Sequence, residues 1–350
     1  MTMTRRSSMS NLPTLYSLAL IFARATFADA RESSKPSSPL LPTADSFRVR
    51  NLDEVEPAYA LFDGEMYAGL LPMDHEKRTG DLMFWVFEPN RSTVSDSLVI
   101  WFNGGPGCSS FGAGLVFENS PVTVPLRPAG YCCTTPDEPL QYNRFSWTNA
   151  TTMLYLEQPV GTGFARGDPS EPRDETDVAE DFYAWLLNFY EVFPAYQQKR
   201  LFLVGESYAG MYVPPMARQI HLENKKVAKQ DRVNLAGIAL GNGWIDAEVQ
   251  GPATIDFAFW HGMLDLETRD ELHREWEHCI AAFDENATAT AKTQKEPAPF
   301  HPFNVPDDCG MMGGVLAAAG AGAWPNRPEG PDTYDVTTWD PYIILLGGNT

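Results

Sequence analysis

The chain of 350 residues is 43% hydrophobic, enough to bury one large core with a sizeable insertion, and no part of it reads as a long disordered tract. Its 46 acidic against 26 basic side chains give a net charge of -20, which argues against a nucleic-acid partner, because phosphate binding needs clustered Lys and Arg. Five cysteines (Cys108, Cys132, Cys133, Cys279 and Cys309) are an odd number, so in an oxidising compartment at least one lacks an intramolecular partner.

In chain order, Arg5 and Arg6, the apolar stretch Leu15 to Phe22 and the small residues of Ala28-Asp29-Ala30 follow the plan of a cleaved secretory signal, and residues 1–30 are read as one. The apolar stretch is far short of the roughly 20 residues that span a bilayer, Arg24 interrupts its extension, and no other segment is long and apolar enough to cross. A secretory-pathway location is therefore expected, whether vacuole- or lysosome-like, Golgi or extracellular. Three acceptor sequons, at Asn90, Asn149 and Asn286, fit that compartment.

Asp81 to Glu88 and Ser97 to Phe102 read as strands separated by a polar turn, and Thr152 to Leu156 as another. Between Asp174 and Phe193 the apolar residues Val178, Phe182, Trp185, Leu186 and Phe189 recur at helical spacing, with acidic side chains in the first turn and Pro194 closing the element. Leu201 to Val204 reads as a strand, residues from about Tyr208 to His221 as a helix, and Leu235 to Leu240 as a buried strand. Helical patterning resumes from Trp244 to about Gln294, with Asp265 to Phe283 a surface-lying helix, and Glu296 to Pro331 is dense in Pro, Gly and Ala. Buried strands alternating with helices predict a mostly parallel sheet covered on both faces, with catalytic residues at the strand carboxyl ends.

The strand ending at Val204 runs into Gly205-Glu206-Ser207-Tyr208-Ala209-Gly210, whose small residues suit the tight turn of a nucleophile elbow. Trp101-Phe102-Asn103-Gly104-Gly105-Pro106-Gly107-Cys108-Ser109-Ser110 also leaves a strand and offers backbone amides suited to stabilising an oxyanion. Together they predict serine-based acyl transfer. Trp101 itself is expected to be a buried aromatic of a central strand, and Gly161 to Phe164 a structural turn.

With Met66-Tyr67-Ala68-Gly69, Glu157-Gln158-Pro159-Val160-Gly161-Thr162-Gly163-Phe164 and Gly241-Asn242-Gly243-Trp244-Ile245-Asp246, these motifs resemble the serine carboxypeptidase family, and within it the fungal-type pheromone-processing carboxypeptidases. The resemblance runs from about Met66 to about Val336. It implies an α/β-hydrolase fold and release of carboxyl-terminal residues, Lys or Arg among them, from peptides and proteins, with neither metal nor cofactor. By resemblance Ser207 is the nucleophile, the amides of Gly105 and Tyr208 form the oxyanion hole, and Asn103, Gly104, Glu118 and Glu206 grip the substrate's terminal carboxylate. Two carboxyls held close cannot both ionise cheaply, so one stays protonated and donates to the substrate carboxylate at mildly acidic pH.

The resemblance also assigns boundaries: core over 31–243, a helical and loop lid insertion over 244–330, and an atypical tail over 331–350. Within the insertion Cys279 is expected to pair with Cys309, while the partner of Cys108 and the Asp and His of the triad, which in the family lie on later strands, have no matching position. Solvated or structural roles are expected for His221, His261, His273, His278 and His301. The chain is thus expected to be truncated relative to a complete serine carboxypeptidase. Two other classes stay open: an inactive peptide-carboxylate binder, and an acyltransferase on the same fold.

Overall fold

The computed structural model of the chain describes residues 41–75, 77–124, 140–168, 172 and 174–293. The expected leader, Cys132, Cys133, His301, Cys309 and the tail lie outside the described residues. So do the stretch after 293 and the side chains of Cys279 and Asn286, which leaves the Cys279–Cys309 bridge and the third sequon undescribed.

Six strands form the central sheet in the order β1-β2-β6-β3-β7-β8: β1 (Met66–Pro72), β2 (Asp81–Phe87), β3 (Ser97–Phe102), β6 (Thr152–Leu156), β7 (Arg200–Glu206) and β8 (Leu235–Gly241). The four strands β6, β3, β7 and β8 run parallel, while β1 and β2 close one side antiparallel. The strands on either side of the polar turn at residues 88–96 do not pair with one another, because β6 is inserted between them. A two-stranded ladder, β4 (Val122–Thr123) with β5 (Gln141–Tyr142), lies apart from this sheet.

Strand periodicity sorts the side chains into two cores. Leu82, Phe84 and Val86 of β2, Leu98, Ile100 and Phe102 of β3, and Leu201 and Leu203 of β7 face one side, where they meet α2 (Glu175–Val192) and α4 (Ala209–Glu223). Met83, Trp85 and Phe87, Val99 and Trp101, and Val204 face the other. That second side is covered by α1 (Phe111–Glu118) and by 3-10 turns at Leu52–Glu54 and Pro57–Leu61. The long helices α2 and α4 thus cover the first face, while a short π-helical segment and 3-10 turns cover the second. The bonds Leu115 N–H to the Ser110 carbonyl and Asn119 N–H to the Gly114 carbonyl skip five residues, which gives α1 its π-helical width.

Asp174 starts α2 as expected, accepting from the Thr176 and Asp177 amides at 2.9 Å each. Pro194 does more than end it: it opens α3 (Pro194–Gln197), a second short helix whose Tyr196 stacks on Phe189. Beyond β8, α5 (Ala247–Trp260) and α6 (Leu266–Thr293) pack on each other through Ile255, Leu264, Leu272 and Trp276. Among the described residues no helix is long and apolar enough to cross a membrane.

Candidate active site

The connection leaving β3 goes to β6 on one side, whereas the next crossover returns past β3 to β7 on the other. Such a switch in direction opens a crevice at the strand carboxyl ends. Phe102 stands opposite Gly205 in the ladder, so Asn103 to Gly105 leave the sheet beside Glu206 to Tyr208.

The turn at Ser207 is strained and strapped. Ser207 has φ of 57°, left-handed space that a side chain seldom occupies. Its amide donates to the Gly241 carbonyl at 3.0 Å, and its carbonyl accepts from Gly210 N–H at 3.0 Å and Trp244 N–H at 2.8 Å. The Gly241 to Trp244 motif is thereby a brace for the elbow. Tyr208 is buried, and its hydroxyl donates to Glu175 Oε1 at 2.5 Å.

The glycine-rich loop lies directly on this turn. A methyl group at Gly104 would fall 2.8 Å from Ser207 Cβ and 2.9 Å from the Glu206 carbonyl oxygen, and closer still to the Tyr208 amide nitrogen. Only glycine lets the two segments approach so nearly. Gly105 follows at φ of 113°, again glycine territory, and the Gly107 amide donates to the Tyr212 hydroxyl at 3.2 Å. The Cys108 amide donates to the Gly104 carbonyl at 3.1 Å, closing the turn. Cys108 is a free thiol; burial first, then the charges of Glu206 and Glu157, push it up to about 11.

Asn103 is 2% exposed and held in one orientation. Its Oδ1 accepts from the Trp101 indole N–H and the Gly114 amide, both at 2.9 Å. Both partners can only donate, so the oxygen must face them and Nδ2 must face outward. That nitrogen donates to Glu118 Oε1 at 3.2 Å. Trp101 is thus the buried strand aromatic that was expected, with the added task of orienting Asn103. Glu118, at the end of α1, is held above the usual carboxylate range by burial and by the nearby charge of Glu206, against the opposing Asn103 hydrogen bond. The structure accordingly brings Asn103, Gly104, Glu118, Glu206, Ser207 and Tyr208 into one crevice, with Gly105 beside them.

Three of the five described histidines are engaged elsewhere and the other two are exposed. His75 Nε2 lies 2.7 Å from Asp181, His261 Nδ1 lies 2.8 Å from the Phe257 carbonyl and His273 Nε2 lies 3.0 Å from Asp256; His221 and His278 are exposed on α4 and α6. Among the described residues no histidine is hydrogen-bonded to Ser207, and no group of three His, Cys, Asp or Glu side chains is arranged to hold a metal ion.

Two further residues shape the site without having been singled out. Glu157, quoted above only within a motif, is fully buried behind the glycine-rich loop. Ser110 accepts the Asn103 amide at 3.1 Å. The signal for Glu157 was present in the chain, since a carboxylate directly after the largely apolar strand β6 must find partners or keep its proton. The sequons Asn90 and Asn149 lie side by side, Asn90 Nδ2 donating to Asn149 Oδ1 at 3.2 Å.

Residues 57–314 match the profile of the family described as serine carboxypeptidase. Over 267 residues the chain is 35% identical to the pheromone-processing carboxypeptidase KEX1 of Eremothecium gossypii, covering 75% of this chain and 41% of that one. It is 34% identical over 225 residues to serine carboxypeptidase-like 35 of Arabidopsis thaliana, covering 63% and 44%. Among solved structures it is similar to Kex1, a prohormone-processing carboxypeptidase from Saccharomyces cerevisiae, with a TM-score of 0.63 and 25% identity over 87% of this chain and 66% of that one. The chain spans less than half the length of these two curated relatives.

Proposed function

The chain belongs to the serine carboxypeptidase family, and from that premise we propose that its crevice binds the free carboxyl end of peptides and proteins and that Ser207 attacks the adjacent peptide bond. In this reading Ser207 Oγ is the nucleophile, the amides of Gly105 and Tyr208 receive the developing oxyanion, and Asn103, Glu118 and Glu206, with Gly104, take the terminal carboxylate. The observation that carries it is the packing of Gly104 on the Ser207 turn, with the Asn103–Glu118 pair on the same loop and helix.

Carboxylate recognition by acids needs a proton. Glu118 is raised by burial and by Glu206, which favours its protonated form. Its Oε1 already accepts from Asn103, which leaves Oε2 to carry the hydrogen and donate to the substrate. The affinity for peptide acids should therefore fall as pH rises through the Glu118 titration, while the affinity for the corresponding carboxamides stays flat. Titration calorimetry between pH 5 and 8 is the test, and a flat profile for the acid would overturn the assignment.

A serine hydroxyl also needs a base to react fast, and no described histidine is bonded to Ser207. That observation favours a second reading in which this chain holds peptide carboxylates without cleaving them. Fluorophosphonate labelling separates the two: stoichiometric modification lost in Ser207→Ala supports hydrolysis, and inertness of a folded chain that still binds peptide acids supports capture alone. An acyltransferase would instead transfer an acyl group to an added alcohol.

Residence in the secretory pathway belongs to the same proposal. The sequons at Asn90 and Asn149 support it, and a mobility shift on treatment with an N-glycosidase would test it.

A further inference from the structure

Behind the glycine-rich loop sits a carboxyl group that the proposed chemistry leaves unused. Glu157 follows β6, is 1% exposed, and faces two loops at once. Toward the first, its Oε1 accepts from the Ser109 hydroxyl at 2.6 Å and from the Phe111 amide at 3.0 Å. The Ser109 oxygen in turn accepts from the Gly112 amide at 2.9 Å. One carboxylate oxygen thus gathers the end of the loop that holds Gly105 and the start of α1. Toward the second loop, Glu157 lies against Gly163, where the absence of a side chain makes room for Oε2. Across this contact Phe111 and Phe164 stack with centroids 6.0 Å apart.

On the other side of the loop the Tyr212 hydroxyl accepts from Gly107. The loop is therefore held at its middle by Tyr212 and at its end by Glu157. Asn103 takes its orientation from Trp101 and Gly114, which Glu157 does not touch.

We propose that Glu157 is a positioning residue: by latching Ser109 and Phe111 to the Gly161–Phe164 turn, it sets the place of the Gly105 amide relative to Ser207. The inference rests on the reading of Gly105 as an oxyanion donor, and goes beyond it by naming what fixes that donor. The latch is titratable near neutrality. Burial pushes the Glu157 carboxyl up to about 7, against the Ser109 hydroxyl and the Phe111 and Phe164 amides, which favour its ionised form. The titratable neighbours that feel this region are the Cys108 thiol, raised by burial and by Glu206 and Glu157, and Glu206 across the crevice.

The test compares the full chain with Glu157→Gln, which keeps an acceptor and the volume, and Glu157→Leu, which keeps only volume. Fluorophosphonate labelling of Ser207 should slow roughly a hundred-fold in Glu157→Leu, as for a lost oxyanion donor, and only a few-fold in Glu157→Gln. The dissociation constant for a tripeptide acid should change far less than the labelling rate in both, since Glu157 bonds neither Asn103 nor Glu118 directly. The pH dependence of labelling near pH 7 should be present in the wild type and absent in Glu157→Gln. A loss of labelling matched by an equal loss of peptide affinity would overturn the proposal, because that is how a merely structural defect behaves.

If the wild type neither labels nor binds, the function proposed above fails while the latch is still decided by amide hydrogen exchange. Phe111 and Gly112 should exchange roughly ten-fold faster in Glu157→Leu, the loss of one well-placed acceptor, with β3 and β7 unchanged. Unchanged exchange at Phe111 and Gly112 sinks the latch. Should Glu157→Leu not fold, Glu157→Gln against wild type decides it: ionised Glu157 makes the stronger, charge-assisted bonds, so excess protection of Phe111 and Gly112 in wild type must appear only above about pH 7.

Discussion

At the scale of single residues, the site depends on atoms that are missing as much as on those present. Gly104 lacks the carbon that would strike Ser207 and Glu206. Gly104→Ala should push the loop off the elbow and reduce Ser207 labelling roughly a hundred-fold, the cost of misplacing reacting groups by an ångström. Asn103→Leu should act differently, leaving the Trp101 indole and the Gly114 amide without an acceptor in a buried place. Two orphaned donors cost about 2 to 6 kcal/mol, to be read from urea denaturation, and binding of peptide acids should be lost with them.

Glu157 makes a prediction about stability as well. Its carboxyl titrates about 7 in the folded chain against an ordinary 4.5. A raised value means that the folded state holds its proton longer than the unfolded one, so stability is greatest below pH 4.5 and declines as pH climbs toward 7. The decline attributable to this group is on the order of 3 kcal/mol. Glu157→Gln cannot ionise, and its stability profile should lack that component when melts are compared from pH 4.5 to 7.5.

Much of this site was legible as letters. The glycines and serine of residues 205–210 and the run Asn103–Gly107 announce turns that side chains would obstruct, which is a local property. Glu118 was reached only by likeness to a family, since nothing local marks it; its partner Asn103 lies fifteen positions away and meets it across the turn into α1. The role of Glu157 needed the fold, because Ser109 and Phe111 are brought to it by the β3–β6 pairing.

At the scale of elements, the central strands were readable as short apolar runs and the amphipathic α2 from its helical spacing, and Asp174 marked the helix start. Strand β1 was not read, since Met66-Tyr67-Ala68-Gly69 carries small residues and no clear alternation; it is settled by seven antiparallel pairings with β2. The turn joining these two strands is tied to α2 by a buried ionic cluster. Arg78 reaches Asp177 at 2.7 Å and Asp181 at 2.8 Å, His75 shares Asp181, and Arg78 and Asp181 side chains are 5% and 4% exposed. Burial nonetheless holds Asp181 above the ordinary aspartate range. Arg78→Leu would remove the buried cation that faces Asp177 and Asp181, and a loss of about 3 to 5 kcal/mol is expected, with a lower urea midpoint at constant slope.

At the scale of the whole molecule, the sheet is finished differently on its two sides. Beyond β6 it ends in the antiparallel pair β2, which is largely buried, and β1, which is mostly half-buried. On the other side β8 is the outermost described strand, and its residues are half-exposed or exposed, Ile238 at 45%, not buried as the apolar run Leu235 to Leu240 predicts. Its residues Leu235 to Gly241 pair with β7 alone, so a row of main-chain groups faces outward among the described residues.

That asymmetry bears on who has access to the nucleophile. Ser207 sits at the tip of β7, one position in from this margin, so anything that hydrogen-bonds along β8 would bring its own following loop within about 10 Å of the reactive hydroxyl, two inter-strand spacings. The β8 margin therefore lies next to the strand that carries the nucleophile, whereas the β1 margin is four strands away from β7.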